Sequence, residues 1–157
     1  MWEALEQAQW VRTFGNTAWM YITVSVIHYL SMFWFIGSAA LIDLRVAGVA
    51  VRRRNVTELA DQLFPWAWIG LALAIISGFL MFSSYAGDWA PDPVFQIKLA
   101  LIVLGAVCTL IVQVGVPRWA QSAEIPVSAK AFALFSLLVW IATLLCASEI
   151  PGREGLG

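Results

Sequence analysis

The sequence predicts an all-α integral membrane protein, a four-helix bundle forming one transmembrane domain (1–157) with a short N-terminal interfacial helix. Three observations predict it. Hydrophobic residues make up 61% of the chain and charged residues 12%, against about 25% charged in a soluble domain. Four long stretches are nearly free of Asp, Glu, Lys and Arg, each near the roughly 20 residues that a membrane-crossing helix needs. The segments between them are short, which makes neighbouring helices antiparallel in an up-down-up-down order.

The segment Trp2 to Phe14 mixes Trp2, Leu5, Trp10, Val11 and Phe14 with Glu3, Glu6 and Arg12, the make-up of an amphipathic helix in the outer interface. It opens MWEALEQAQWVR, with acids where a secretory signal carries bases, so no cleaved signal is expected. The first span, 17–41, lies in the charge-free run between Arg12 and Asp43, and the second, 64–84, in the run from Gln62 to Gly87. The third, 94–116, carries Lys98 near its start, and the fourth covers 129–147. Small residues Gly37, Gly70, Gly78 and Gly105 allow helices to approach closely, within one chain or between chains of a homo-oligomer. Tryptophans near span ends (Trp10, Trp19, Trp66, Trp89 and Trp119) fit the aromatic belts of a bilayer.

Loop charges set the direction. Arg45, Arg52, Arg53 and Arg54 occupy the first hairpin, and Arg118 and Lys130 flank the third loop. The second loop holds Asp88 and Asp92 without a base. Basic loops stay in the cytoplasm, so both termini are expected on the periplasmic side of a bacterial inner membrane.

Several function classes fall away. A net charge of −1 gives no electrostatic footprint for nucleic acid. Cys108 and Cys146 lack metal-type spacing and read as buried free thiols. No nucleophile–base pair, glycine-rich phosphate loop or paired carboxylate points to a hydrolase.

What stands out is His28, the single histidine, about ten residues into its span and so about 15 Å deep. Ionisable groups at that depth point to function, and a neutral imidazole is a donor for haem iron, copper or zinc. The alternative is a histidine hydrogen-bonded to a neighbouring helix. Ser25 and Ser31, three residues either side, are expected to support the ring. Lys98, about one turn into its helix, either snorkels, pairs with Glu149, or meets an anionic group such as a haem propionate or a lipid or quinone headgroup. Arg12 is a second candidate cation toward the outer face. Asp43 opposes the dipole at the end of the first span, so a basic or indole partner is expected to clamp that mouth with Arg45. Met32 shares a face with His28. A second axial ligand from elsewhere would be Met81, Cys108 or His28 of a second copy.

The segments HYLSMFWFIGSAALIDLRVAG (28–48), LFPWAWIG (63–70), ISGFLMF (76–82) and FQIKLAL (95–101) together resemble a family of small four-span bacterial membrane proteins. The fourth span departs from that pattern at CASEIPG (146–152). More loosely, the layout is similar to copper-resistance membrane proteins and to the oxygen-independent-type protoporphyrinogen oxidase of bacteria. These have a His on the first span, a Gly-rich second span and a Lys opening the third. That resemblance implies haem b on His28 with Lys98 near a propionate. The short Arg and Tyr motifs of the oxidase are not evident here, so its reaction is not implied. The leading expectation is a haem b protein for electron transfer or redox chemistry with a quinone or periplasmic partner. The alternatives are a non-catalytic subunit or permeation protein and, third, copper handling, for which Met20, Met32, Met81, Cys108 and Cys146 are thinly spread.

Overall fold

The computed structural model describes residues 2–122 and 124–154, the side chains of Glu3 and of 149–154 excepted. It contains seven helices among the described residues: α1 (Trp2–Glu6), α2 (Gln9–Asn16), α3 (Ala18–Val46), α4 (Val56–Ser83), α5 (Ala86–Trp89), α6 (Pro93–Trp119) and α7 (Val127–Glu154). Four of them, α3, α4, α6 and the 127–148 part of α7, are long and apolar enough to cross a bilayer. The protein is a multi-pass membrane bundle. Irregular backbone is confined to the ends, since in lipid only the i→i−4 ladder satisfies the peptide groups.

The long helices run past the expected spans because their ends are set by capping rather than by hydropathy. Asn55 accepts from the Thr57 amide at 2.9 Å and starts α4, eight residues before the apolar run begins at Phe64. Asp92 accepts from the Val94 amide at 2.6 Å, with Pro93 at the first helical position of α6, where its missing N–H costs nothing. At the other end of α3 the chain turns through Gly48, whose φ of 76° suits a residue without Cβ. In that hairpin Arg45 Nε donates to the Arg54 carbonyl at 2.7 Å, and Arg52 Nε donates to the Gly48 carbonyl.

The expected interfacial helix is two short helices. Ala8 is extended (ψ 134°), which breaks the segment between α1 and α2. The break lets each part find its own partner. Val11 and Phe14 of α2 are buried, and α2 packs on α3 and α4. Glu6 of α1 accepts from the Gly87 amide at 2.7 Å, which ties α1 to α5.

Within the bundle, α3 packs along α4, α6 along α7, and α3 against α7, while α4 and α6 meet over a short stretch. The half beside the arginine hairpin is filled by a close-packed core including Ile42, Val46, Phe64, Val112 and Ala133. A second cluster, Phe35, Ala67, Leu71 and Trp140, sits above it. Trp68 Nε1 donates to Gln113 Oε1 at 2.7 Å, and Trp140 Nε1 to Thr109 Oγ1 at 3.1 Å. These two indoles are interior cross-links, whereas Trp10, Trp19 and Trp66 are exposed on the outside. Outward-facing Phe33, Val103 and Leu145 leave an apolar surface for lipid. Gly70 and Gly78 are spent between α3 and α4, while an added Cβ at Gly37 would meet nothing within 4 Å.

Gly105 is the tightest of the helix crossings. A Cβ there would stand 2.7 Å from Cζ2 of Trp140, a rigid ring already fixed by Thr109. Gly105→Val is therefore expected to separate α6 from α7 at a cost of about 1–3 kcal/mol, the usual range for overpacking a filled core. Thermal unfolding in detergent, followed by tryptophan fluorescence, measures it.

Candidate functional site: a cavity with one imidazole and one ammonium

Above the Phe35–Trp140 layer the four helices enclose a cavity of about 600 Å³. One stripe of each helix lines it: Tyr21, Ser25, His28, Met32 and Phe35 of α3; Leu71, Ala74, Gly78 and Phe82 of α4; Phe95, Lys98 and Ile102 of α6; Trp140, Thr143 and Ala147 of α7. These are steps of three and four residues, the helical repeat that stacks side chains on one face. The floor is Phe35 set edge-on to Trp140, centroids 4.7 Å apart. The end beside α5 is closed by rings. Phe82 stacks on Phe95 at 5.1 Å, Trp2 of α1 meets Phe82 edge-on at 5.6 Å, and Tyr85 stacks on Trp89 at 5.3 Å. Tyr29, Ile75, Phe79 and Leu99 belong both to the wall and to the exposed apolar surface. The cavity is therefore open sideways, toward lipid.

His28 is half-buried in that wall. Its Nδ1 lies 2.9 Å from the Ala74 carbonyl oxygen and 3.1 Å from Ser77 Oγ. Ser77 spends its own hydroxyl hydrogen on the Leu73 carbonyl at 2.6 Å. Both neighbours of Nδ1 are thus acceptors, which assigns the ring hydrogen to Nδ1. A neutral ring then carries its lone pair on Nε2. That nitrogen has no hydrogen-bond partner among the described residues, nor is it among the buried atoms closed off from the cavity. Gly78 makes the arrangement possible. A Cβ at that position would stand 2.9 Å from His28 Cε1 and 3.3 Å from Nδ1, between the ring and the carbonyl it uses.

Lys98 lines the same cavity from α6 and is half-buried. Gly78 meets the His28 ring and Phe82, one turn further along α4, stacks on Phe95; Lys98, three residues on from Phe95 along the antiparallel α6, therefore stands at about the level of the ring. Among the described residues its ammonium has no ion pair. The Glu149 side chain proposed to pair with it lies outside the described residues.

The other expected site residues divide. Ser25 lines the cavity, but its hydroxyl donates to the Tyr21 carbonyl at 2.8 Å rather than to His28. Ser31 is buried against α4 at Gly70 and is not in the wall. The ring is held from α4 instead, because a serine three residues away on the same helix satisfies its own turn more easily than it reaches an imidazole. Arg12 is exposed on α2 and does not reach the cavity. Met32 and Met81 line it, whereas Cys108 is buried below the floor. Sequence reasoning missed Ala74 and Ser77, and it placed Gly78 at a close helix approach and Trp2 in the interfacial segment without assigning either to the site. The "SG" at 77–78 was a legible signal, a small polar residue beside a glycine in an apolar helix.

Fold and site together define a class: a four-helix membrane bundle with a laterally open apolar cavity that presents one imidazole lone pair and one ammonium. No family model, curated protein or solved structure matches the chain.

Gly78→Ala tests how the ring is held. The methyl group is expected to push the imidazole off the Ala74 carbonyl. With a single histidine in the chain, the Nδ1 proton resonance is unambiguous and should move upfield as that bond lengthens.

Proposed function

We propose that this chain is a haem b-binding protein of the bacterial inner membrane, with His28 as axial ligand, serving electron transfer or redox chemistry with a quinone or a periplasmic partner. The observation that supports it is the pair of acceptors, the Ala74 carbonyl and Ser77 Oγ, on His28 Nδ1. A carbonyl on Nδ1 leaves Nε2 as the donor, the arrangement in which an iron-bound imidazole gains basicity and a fixed orientation. The residues present fit the group: an apolar cavity of adequate size, a wall of aromatic rings, and Lys98 in the same wall as a cation for a propionate. Met81, which lines the cavity from a different helix, would be a second residue able to hold the group. Bound there, haem would supply one-electron transfer at iron. The chain's own residues would orient the ring plane, exclude water and neutralise one propionate.

Metal without a macrocycle fits less well. Among the described residues no group of three or more His, Cys, Asp or Glu is gathered to hold an ion. His28 with Met32 and Met81 in one wall keeps copper(I) as a second reading, since thioether and imidazole suit that soft ion. In the non-catalytic reading, a subunit or permeation protein, the bond from His28 to Ala74 is helix packing and nothing more.

Purification from haem-replete cells separates the three. The wild type is expected to carry a Soret band and a b-type pyridine haemochrome, and His28→Ala to accumulate normally without either. A colourless wild type overturns the proposal. Bound copper in its place would establish the second reading. Lys98→Met is expected to keep the fold and retain haem about tenfold less tightly, about 1.4 kcal/mol, the scale of one charge-assisted hydrogen bond. Haem transfer to an apo-globin measures it.

We also propose the orientation with both termini periplasmic, supported by the basic hairpin Arg52–Arg54 and the acidic loop at Asp88 and Asp92. A periplasm-only reporter fused after Gly157 is expected to be active and a cytoplasm-only reporter silent. The reverse pattern would invert every depth assignment.

A further inference from the structure

Below the cavity floor the bundle buries a second ionisable group. Asp43, on the last turns of α3, is 2% exposed, and its Oδ2 has no hydrogen-bond partner. Facing it from α7 is Ser136, 0% exposed, whose Oγ also has none. The basic or indole partner expected from the sequence is not found among the described residues. Arg45 is turned to the Arg54 carbonyl in the hairpin, and the indoles of Trp68 and Trp140 are bonded to Gln113 and Thr109. The titratable group that α6 sets near the carboxyl is the buried Cys108 thiol. The core beside it receives apolar Ala60 and Phe64 from α4. Arg52, Arg53 and Arg118 are exposed, and Lys130 is half-buried, nearly two turns along α7 from Ser136.

A carboxylate desolvated without a cation is among the costliest states in a protein interior. A serine hydroxyl donated to it would leave the full charge in place. A metal ion is not the answer either, since hard cations gather six or more oxygens, and here two side-chain oxygens face each other. One hydrogen resolves both orphans at once. A protonated carboxyl has an O–H to give, and Ser136 Oγ has a lone pair to receive it.

We propose that Asp43 and Ser136 form a buried proton-binding site, in which the Asp43 carboxyl takes up a proton and donates it to Ser136 Oγ. The balance is simple: carboxylate plus one proton gives the neutral acid. The proton comes from water at the hairpin end, three residues and about 4.5 Å along the helix axis from Asp43. On its other side the site joins a polar stripe of α7, Ser136, Trp140 and Thr143, at positions i, i+4 and i+7. The last two of these reach the cavity wall. Occupancy of the site thus changes the charge about 12 Å along α3 from the Phe35 floor. None of this rests on the haem reading.

The test is infrared spectroscopy of the full chain in lipid nanodiscs across a pH series in sodium-free and sodium-containing buffers. At neutral pH the wild type is expected to show one carboxylic-acid carbonyl band. It should shift with ¹³C-labelled aspartate and be absent in Asp43→Asn. In Ser136→Ala the band should persist and move to higher wavenumber as its hydrogen bond is lost. If Asp43→Asn does not accumulate, the isotope shift together with the Ser136→Ala displacement makes the same assignment in folded protein. No aspartate-dependent acid band at neutral pH overturns the proposal. So does a band that sodium abolishes at constant pH, which would make this a cation site.

Discussion

The hydrogen bond from His28 Nδ1 to the Ala74 carbonyl is the contact on which the open half of this bundle depends. An interhelical bond of this kind is weak in lipid, averaging about 0.6 kcal/mol, so its importance is geometric. It forms because the helix already uses one lone pair of that carbonyl toward residue 78, and the second stays accessible when residue 78 has no side chain. Gly78, Ser77 and Ala74 are therefore one device. It lets α3 and α4 approach to contact distance, fixes which ring nitrogen carries the hydrogen, and turns the free nitrogen away from α4. A bulkier residue at 78 would separate the helices and release the ring together.

The same helices behave oppositely at their two ends. Beside the hairpin, small and branched side chains such as Ala60, Ala133, Val112 and Val116 let all four helices close, and the core there is filled. Toward the other end the facing positions hold aromatic rings, Phe35, Phe82, Phe95 and Trp140, which pack edge-on or stacked against one another. Rings that satisfy each other hold helices apart without filling the space between. Because α4 and α6 touch over only a short stretch, this end is open sideways. The N-terminal segment then acts as a plug: Trp2 enters the ring cluster, and Glu6 holds the plug to α5 through the Gly87 amide.

The four spans were legible because desolvation acts locally: a run of apolar residues bounded by charge must be a helix in lipid whatever it packs against. His28 and Lys98 were legible for the same reason, as ionisable groups inside such runs, and the structure sets both in one cavity wall. What holds them was not. The partner of His28 is 46 residues away along the chain, and a preference of Ser25 for its own helix turn cannot be told from composition. The break at Ala8 was hidden because the apolar and charged residues of 2–14 suit one amphipathic helix as well as two. Trp68, Trp89 and Trp140 look like belt or core residues until their neighbours on other helices are known. Asp43 was judged by the helix dipole, which favours a nearby cation. But Arg45 is two residues on, about 200° around the helix, and residues so spaced do not face each other.

His28 and Asp43 lie four turns apart on one helix and meet opposite conditions, which is the physical content of the two-ended design. At His28 a neighbouring backbone supplies an acceptor, so the ring is committed through Nδ1 and left with a donor lone pair in a space large enough for a ligand. At Asp43 the neighbouring backbones are closed behind alanine and valine. Among the described residues, a serine and a cysteine are the polar side chains in reach, in a core that is otherwise apolar. The size of the space therefore decides what each polar group can bind. The open end can take a large apolar ligand that brings its own charge. The closed end has no comparable space, because its core is filled. The Phe35–Trp140 contact is the layer at which the two meet, with the open cavity and its imidazole on one side and the filled core and its carboxyl on the other.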